Sequence, residues 1–310
     1  MENHLTLTEL RRKARESLSG NWGIAVLSNL IVGLILWIAP NIFNFATLGD
    51  RTRLFREILE DGSLSYRNSL DTYDLGRQSA LNNTSSLISF VIGLLITGAL
   101  TYGLTKVFLN LKRGEKSRIE MIFDGFKKYK ESFLINLLLV IFKVLWGLLW
   151  GLGFIILIVI MFVGGFSAAR GEVSGIGIVL VLCIIGMLAL SITYSIFINR
   201  YAMTYLIALD NEGIGSMEAL EESIRIMKGN KIRYFLLQLS VIWWVVLGVI
   251  VCISVMFTEI PALIISALIG IILLMISLIW VTPYMKAANV AFYDDLIGRN
   301  ENDFDFKLTE

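Results

Sequence analysis

Lys143 stands inside one of the most apolar runs of the chain, INLLLVIFKVLWGLLWG over residues 135–151. A charge at the centre of a bilayer costs about 2.5–3.5 kcal/mol on insertion scales, so it usually faces a polar cavity or a partner. Asn136 lies seven residues before it and Gly147 four after, which puts all three on one face of a helix. Together they would line a hydrated cleft where an ammonium and an amide hold a solute, a lipid headgroup or a partner helix. The competing reading is that Lys143 snorkels to the membrane interface along its own stem. Other polar side chains at this depth are Asn29, Gln238, Asn199 and Arg200. Asn29 and Gln238 suit hydrogen bonding between helices. Arg200, ten residues before Asp210, suits anchoring a helix end.

Reaction machinery is sparse. The single histidine, His4, lies in the polar leader, so the chain supplies neither a His-based zinc site nor a Ser-His triad. No H-E-x-x-H and no phosphate-cradling G-x-x-x-x-G-K-[ST] occurs. Asp303 and Asp305 sit in an acidic tail with no further ligands beside them. Cys183 and Cys252 fall inside apolar runs and read as small apolar residues. The expectation is a protein without catalytic residues, metal or cofactor.

These residues need elements to hold them. Of 310 residues, 56% are hydrophobic and 17% charged, with a mean hydropathy of +0.72. Ordinary soluble domains run near 45–50% apolar and about 25% charged, so a bilayer is the expected solvent. A net charge of +1 gives no bulk argument for nucleic-acid binding. A spanning helix needs about 20 apolar residues. Six stretches qualify: 24–46, 85–109, 133–163, 174–206, 234–257 and 261–282. None alternates as a membrane strand would. Residues 133–166 would make a helix of about 51 Å at ~1.5 Å per residue, which predicts a tilted or protruding helix. The leader carries Arg11, Arg12, Lys13 and Arg15 before a long apolar run, unlike a cleavable signal, so the first span should be retained.

Basic residues set the orientation. The 2–3 connection holds Lys106, Lys112, Arg113, Lys116, Arg118, Lys127, Lys128 and Lys130. The 4–5 connection adds Arg200, Arg225, Lys228, Lys231 and Arg233, and the carboxyl end Lys286, Arg299 and Lys307. The opposite side has only Arg51, Arg53, Arg56, Arg67, Arg77 and Arg170. Positive residues stay inside, so both termini are expected to be cytoplasmic and the protein a multi-pass plasma-membrane protein.

A pattern precedes spans 1, 3 and 5. Met217, Leu220, Ile224 and Met227 recur at helical spacing, as do Ile119, Ile122, Phe126 and Tyr129, and more loosely Leu7, Leu10, Ala14 and Leu18. Thr6-x-x-Glu9 and Ser117-x-x-Glu120 read as capping boxes. Each segment closes on a polar elbow: Ser19-Gly20-Asn21, Lys130-Glu131-Ser132 or Lys228-Gly229-Asn230. The predicted unit is a cytoplasmic amphipathic interfacial helix, an elbow and a helical hairpin. It would repeat over about 5–114, 115–213 and 214–298 within a single all-α membrane domain, 1–310. An external loop, 47–84, would carry a short amphipathic helix at Arg53–Glu60, and 298–310 would form a cytoplasmic tail. Gly147-Leu-Leu-Trp-Gly151 is a weak signal of close helix approach, and Pro283 should kink or end span 6 beside interface anchors Trp280 and Tyr284.

The stretches NRYAMTYLIALDNEGIGSMEALEESIRIMKGNKIRYFLLQLS (199–240), WVTPYMKAANVAFYDDL (280–296) and ARESLSGNW (14–22) resemble a bacterial integral-membrane family. It is the domain-of-unknown-function family numbered 975, found mainly in Gram-positive bacteria. The distinctive motifs concentrate in the last third, and the middle third and residues 47–84 carry none. The resemblance implies a polytopic membrane fold and no catalytic residue. The functional expectation is a non-enzymatic scaffold or accessory that engages the lipid bilayer, membrane-protein partners or a second copy, in envelope maintenance or stress tolerance. The rival expectation is a small-solute or lipid transporter or channel built on Lys143 and Asn136.

Overall fold

The computed structural model describes residues 5–46, 72–169, 176–211, 213–240, 268–270, 272, 275 and 277–298. Among them every regular element is helical. Helix α1 (Leu7–Leu18) starts at a true capping box: Glu9 N–H donates to Thr6 Oγ1 at 3.3 Å, and Thr6 N–H to Glu9 Oε2 at 2.7 Å. Gly20 then turns the chain at φ +76°, a conformation that side-chain-bearing residues rarely adopt. Helix α2 (Trp22–Ala46) rises from that turn and packs along α3 (Thr72–Lys112). Helix α3 begins inside the segment predicted as external loop, so residues 72–84 are helical and continuous with the second predicted span. Residues 47–71, including Arg53–Glu60, lie outside the described residues.

The second unit departs from the prediction. Ile119–Phe123 is a 3-10 turn and α4 is only Asp124–Lys127. Ser117 forms no capping box, because its hydroxyl donates to the Val107 carbonyl at 3.1 Å. The break falls at Lys128 (φ −105°, ψ 44°), and the predicted elbow 130–132 is already inside α5 (Tyr129–Ala169). Glycines explain the compactness here. A Cβ on Gly103 would lie 2.0 Å from the Ile122 carbonyl oxygen, and one on Gly125 would lie 2.0 Å from that of Ala99.

Helix α6 (Ile176–Ile198) packs along α5. The overlong fourth span breaks at a 3-10 turn, Asn199–Tyr201, before α7 (Thr204–Asp210). Helix α8 (Ser216–Ile226) follows, its first N–H groups capped by Glu218 Oε2, which accepts from Gly215 N–H at 3.2 Å. Gly229 at φ +88° turns the chain into α9, residues 231–240. After a π-helical turn (Ser277–Val281), α10 runs Thr282–Leu296 with Pro283 at its start, as expected of a residue that lacks an N–H. Residues 241–267, which hold most of span 5, the start of span 6 and Cys252, lie outside the described residues.

The core gathers at one end of the long helices. It joins Leu10, Ala14 and Leu18 of α1, Leu100, Leu104 and Phe108 of α3, Ile135 and Leu139 of α5, Met203 and Ile207, Leu220 and Met227, and Ala288, Ala291 and Phe292 of α10. The apolar stripe of α1 therefore meets α10, where the sequence predicted a helix lying on lipid. Beyond Leu139, 5% exposed, α5 changes character: Ile141 is 50% exposed and Val144 54%. Exposed apolar side chains continue to Phe166, about 34 Å of helix from Val144 at ~1.5 Å per residue, close to the ~30 Å hydrocarbon thickness. The excess length of α5 is thus its first three turns, packed in the core.

Asp124 ties this end together, accepting from Lys106 Nζ and Lys127 Nζ at 2.7 Å each. Desolvation raises its carboxyl, but the two lysine hydrogen bonds and charges outweigh it and hold the group below the usual carboxylate range. A depressed folded pKa adds stability above the unfolded value of about 3.9 and loses it as pH falls through the folded value. Asp124→Asn is accordingly expected to melt lower than the native chain at neutral pH. That difference should begin to shrink as pH falls past about 4 and vanish only below the folded pKa, as thermal unfolding in detergent would read.

Candidate functional site

Asn136 is buried, and its Nδ2 donates to the Leu94 carbonyl of α3 at 3.0 Å. Beside it, Gly98 leaves room for the close approach: a Cβ there would lie 2.6 Å from the Ser132 carbonyl oxygen. Lys143, two turns on, is exposed at the level where the core ends. Asn29 Nδ2 donates to the Ala25 carbonyl of its own helix at 3.0 Å, and among the described residues it bridges no helices. Gln238 shares a hydrogen bond with Tyr234 one turn earlier on α9.

Arg200 is placed differently. The 3-10 turn swings it over an aromatic group between α5 and α6, with its guanidinium carbon 4.0 Å from the Phe197 ring centroid and 5.9 Å from those of Trp146 and Tyr201. Such stacking favours a cation, more so where water is excluded. The group is internally braced: Trp146 and Phe197 centroids are 4.2 Å apart, and Trp146 Nε1 donates to the Tyr201 hydroxyl at 3.1 Å. From α8, Ser223 Oγ donates to the Arg200 carbonyl at 2.9 Å and accepts from Met203 N–H at 3.2 Å. Arg200 Nε and Asn199 Nδ2 are buried without an acceptor.

Two further cations complete the cluster. Lys231 Nζ, from the start of α9, lies 5.8 Å from the same Phe197 ring. Lys286 is half-buried on α10. Both lysines are held below the usual lysine range, by desolvation first and then by repulsion from Arg200 and Lys143 respectively. Among the described residues, none of the four cations forms a salt bridge. Sequence reasoning counted Lys231 and Lys286 only as topology markers. The signal was available, because the ends of spans 4, 5 and 6 were assigned one side and their flanking cations had to converge there.

Two other features hold less chemistry. Of the 147–151 glycine pair only Gly147 faces α6, where an added Cβ would lie 3.6 Å from the Tyr194 hydroxyl, and Gly151 has nothing within 4 Å; the closer approaches are at Gly153 and Gly186, where an added Cβ would lie 3.1 Å from Leu190 and Leu157 respectively. A groove of about 450 Å³ is lined by Asn211, Ile214, Glu218, Glu221, Glu222 and Arg225, with Arg225 already bound to Glu222 at 2.6 Å. Among the described residues no cluster of three or more His, Cys, Asp or Glu side chains is arranged to hold a metal.

Fold and site together define an all-helical protein with helices long and apolar enough to cross a membrane: Trp22–Ile42, Thr84–Lys112, Tyr129–Ser167 and Val179–Asp210. These coincide with the first four predicted spans. Residues 1–300 match the model of the family described as "Protein of unknown function (DUF975)", and the chain belongs to that family. No curated protein and no solved structure matches it.

Proposed function

We propose that this is a multi-pass plasma-membrane protein with six spans in three hairpin units and both termini in the cytoplasm. In this reading it has no enzymatic activity and serves as a scaffold or accessory that engages lipid and the membrane segments of partners or of a second copy. A role in envelope maintenance or stress tolerance fits that activity. The observation that carries it is the contrast along α5 and α6. Their outer faces, Val144–Phe166 and Val181–Ile192, expose apolar side chains, while the ends that join the rest of the chain are fixed in a packed core. Exposed apolar area on this scale is stable only against lipid or another apolar surface. A transporter built on Lys143 and Asn136 is disfavoured, because Asn136 is committed to Leu94 and Lys143 faces outward.

Cysteine accessibility labelling in intact cells tests the topology. Cysteines placed at Lys116 and Lys130 are expected to react only after permeabilisation. Labelling of either from outside overturns the orientation. Purified protein in liposomes is expected to conduct no solute flux above protein-free vesicles, and a saturable flux would install the transporter instead.

A further inference from the structure

We propose that Lys143, Arg200, Lys231 and Lys286 form a binding site for a negatively charged phosphate group, supplied by an anionic phospholipid headgroup or by free phosphate. The inference rests on the membrane placement proposed above and gives its lipid contact a location. Three observations carry it.

The first is charge. The four cations come from α5, the turn after α6, α9 and α10, and no carboxylate pairs with any of them among the described residues. At the same end of the molecule Arg113 pairs with Asp210 at 2.8 Å and Lys106 with Asp124 at 2.7 Å, whereas these four like charges have no carboxylate to offset them among the described residues. Their mutual repulsion favours an anion between them.

The second is geometry. Phe197 lies under the Arg200 guanidinium, its ring centroid 4.0 Å from the guanidinium carbon, with Trp146 and Tyr201 at 5.9 Å, and among the described residues the buried Nε has no acceptor. A planar guanidinium matches two phosphate oxygens at once, and lysines add point charges around it. The link between the two cation pairs is α5 itself: Trp146 touches Arg200, and Lys143 lies one turn earlier on the same helix.

The third is level. Lys143 lies one turn beyond buried Leu139, at the start of the exposed run that begins at Ile141. Acyl chains on that run would bring a headgroup to the height of the cations, where the anionic inner leaflet supplies it.

The test uses the full chain purified in detergent, titrated with short-chain phosphatidylglycerol, short-chain phosphatidylcholine and inorganic phosphate, with binding read by calorimetry or native mass spectrometry. Phosphatidylglycerol is expected to bind at least about tenfold tighter than phosphatidylcholine. Each cation near an anionic lipid surface contributes about fivefold, so K143Q/K286Q and R200Q/K231Q should each weaken binding about 30-fold. K116Q/K130Q, on exposed cations elsewhere, should leave it unchanged. Inorganic phosphate that displaces the lipid identifies free phosphate as the ligand, and failure to displace it identifies the headgroup; both support the site. Equal affinity for the two lipids, or native affinity in both double variants, overturns it. If a double variant does not fold, K143Q alone, at an exposed position, carries the test with a fivefold loss. A native chain that does not float with vesicles defeats the membrane reading, whereas a chain that floats with indifferent variants defeats only the site.

Discussion

Gly103→Ala is expected to damage this protein more than any other single methyl group in α3. The added carbon would lie 2.0 Å from the Ile122 carbonyl oxygen and 2.4 Å from its carbon, both backbone atoms in the 3-10 turn. A flexible side chain could rotate away, but this turn is held on its other flank by Gly125, whose own Cβ would strike the Ala99 carbonyl at 2.0 Å. In an exposed helix, Gly→Ala stabilises by roughly 1 kcal/mol. Here the sign should reverse, with a cost at or above the upper end of the ~1–3 kcal/mol typical of overpacking. Thermal unfolding in detergent and the monodisperse fraction on size exclusion measure it. Gly151→Ala, with nothing within 4 Å, is the matched control and should be neutral or slightly stabilising. Equal melting of the two variants would show that α3 and the 119–125 segment do not touch.

That contact was invisible in the sequence, and the reason is physical. Hydropathy marks where a helix can lie in lipid, so the first four spans were legible to within a few residues at most ends. Capping and turn chemistry are local too, which is why Thr6–Glu9 and the glycine elbows at Gly20 and Gly229 were legible. The second elbow failed because its signals were answered from a distance: Ser117 found the Val107 carbonyl, and Ile122 was drawn into the core against Gly103. Helix packing is likewise non-local. The spacing of Gly147 and Gly151 invited a close approach, yet the closer ones are at Gly153 and Gly186, because which face of α5 meets α6 depends on both helices. Asn136 and Lys143 share a helix face by rotation. They differ in fate because α3 covers that face at Asn136, while Phe90 of α3 and Lys143 of α5 are both exposed. Periodicity gives direction around a helix and says nothing about how far along it a neighbour extends.

Asp295→Ala is expected to loosen the amino-terminal helix from the rest of the chain. Asp295 Oδ1 accepts from Leu5 N–H at 2.8 Å, and Oδ2 pairs with Arg233 Nη1 at 2.7 Å. Arg233 Nη2 donates in turn to the Leu5 carbonyl and its guanidinium lies 5.1 Å from the Phe292 ring, so three distant segments meet at one carboxylate. The side chains are 2% and 20% exposed. Removing one member of a buried pair typically costs about 3–5 kcal/mol, because the other charge stays desolvated and alone. Arg233→Leu should cost a comparable amount. The double variant, Arg233→Leu with Asp295→Ala, should cost less than the two single changes combined, by about 0.5–3 kcal/mol for residues in contact. Unfolding midpoints supply the cycle, and limited proteolysis should show residues 5–18 cut first in Asp295→Ala. If the two single costs simply add, the pair contributes nothing jointly. The amino-terminal helix would then be held by Leu10, Ala14 and Leu18 in the core and by the Tyr284 hydroxyl, which donates to the Arg11 carbonyl at 3.3 Å.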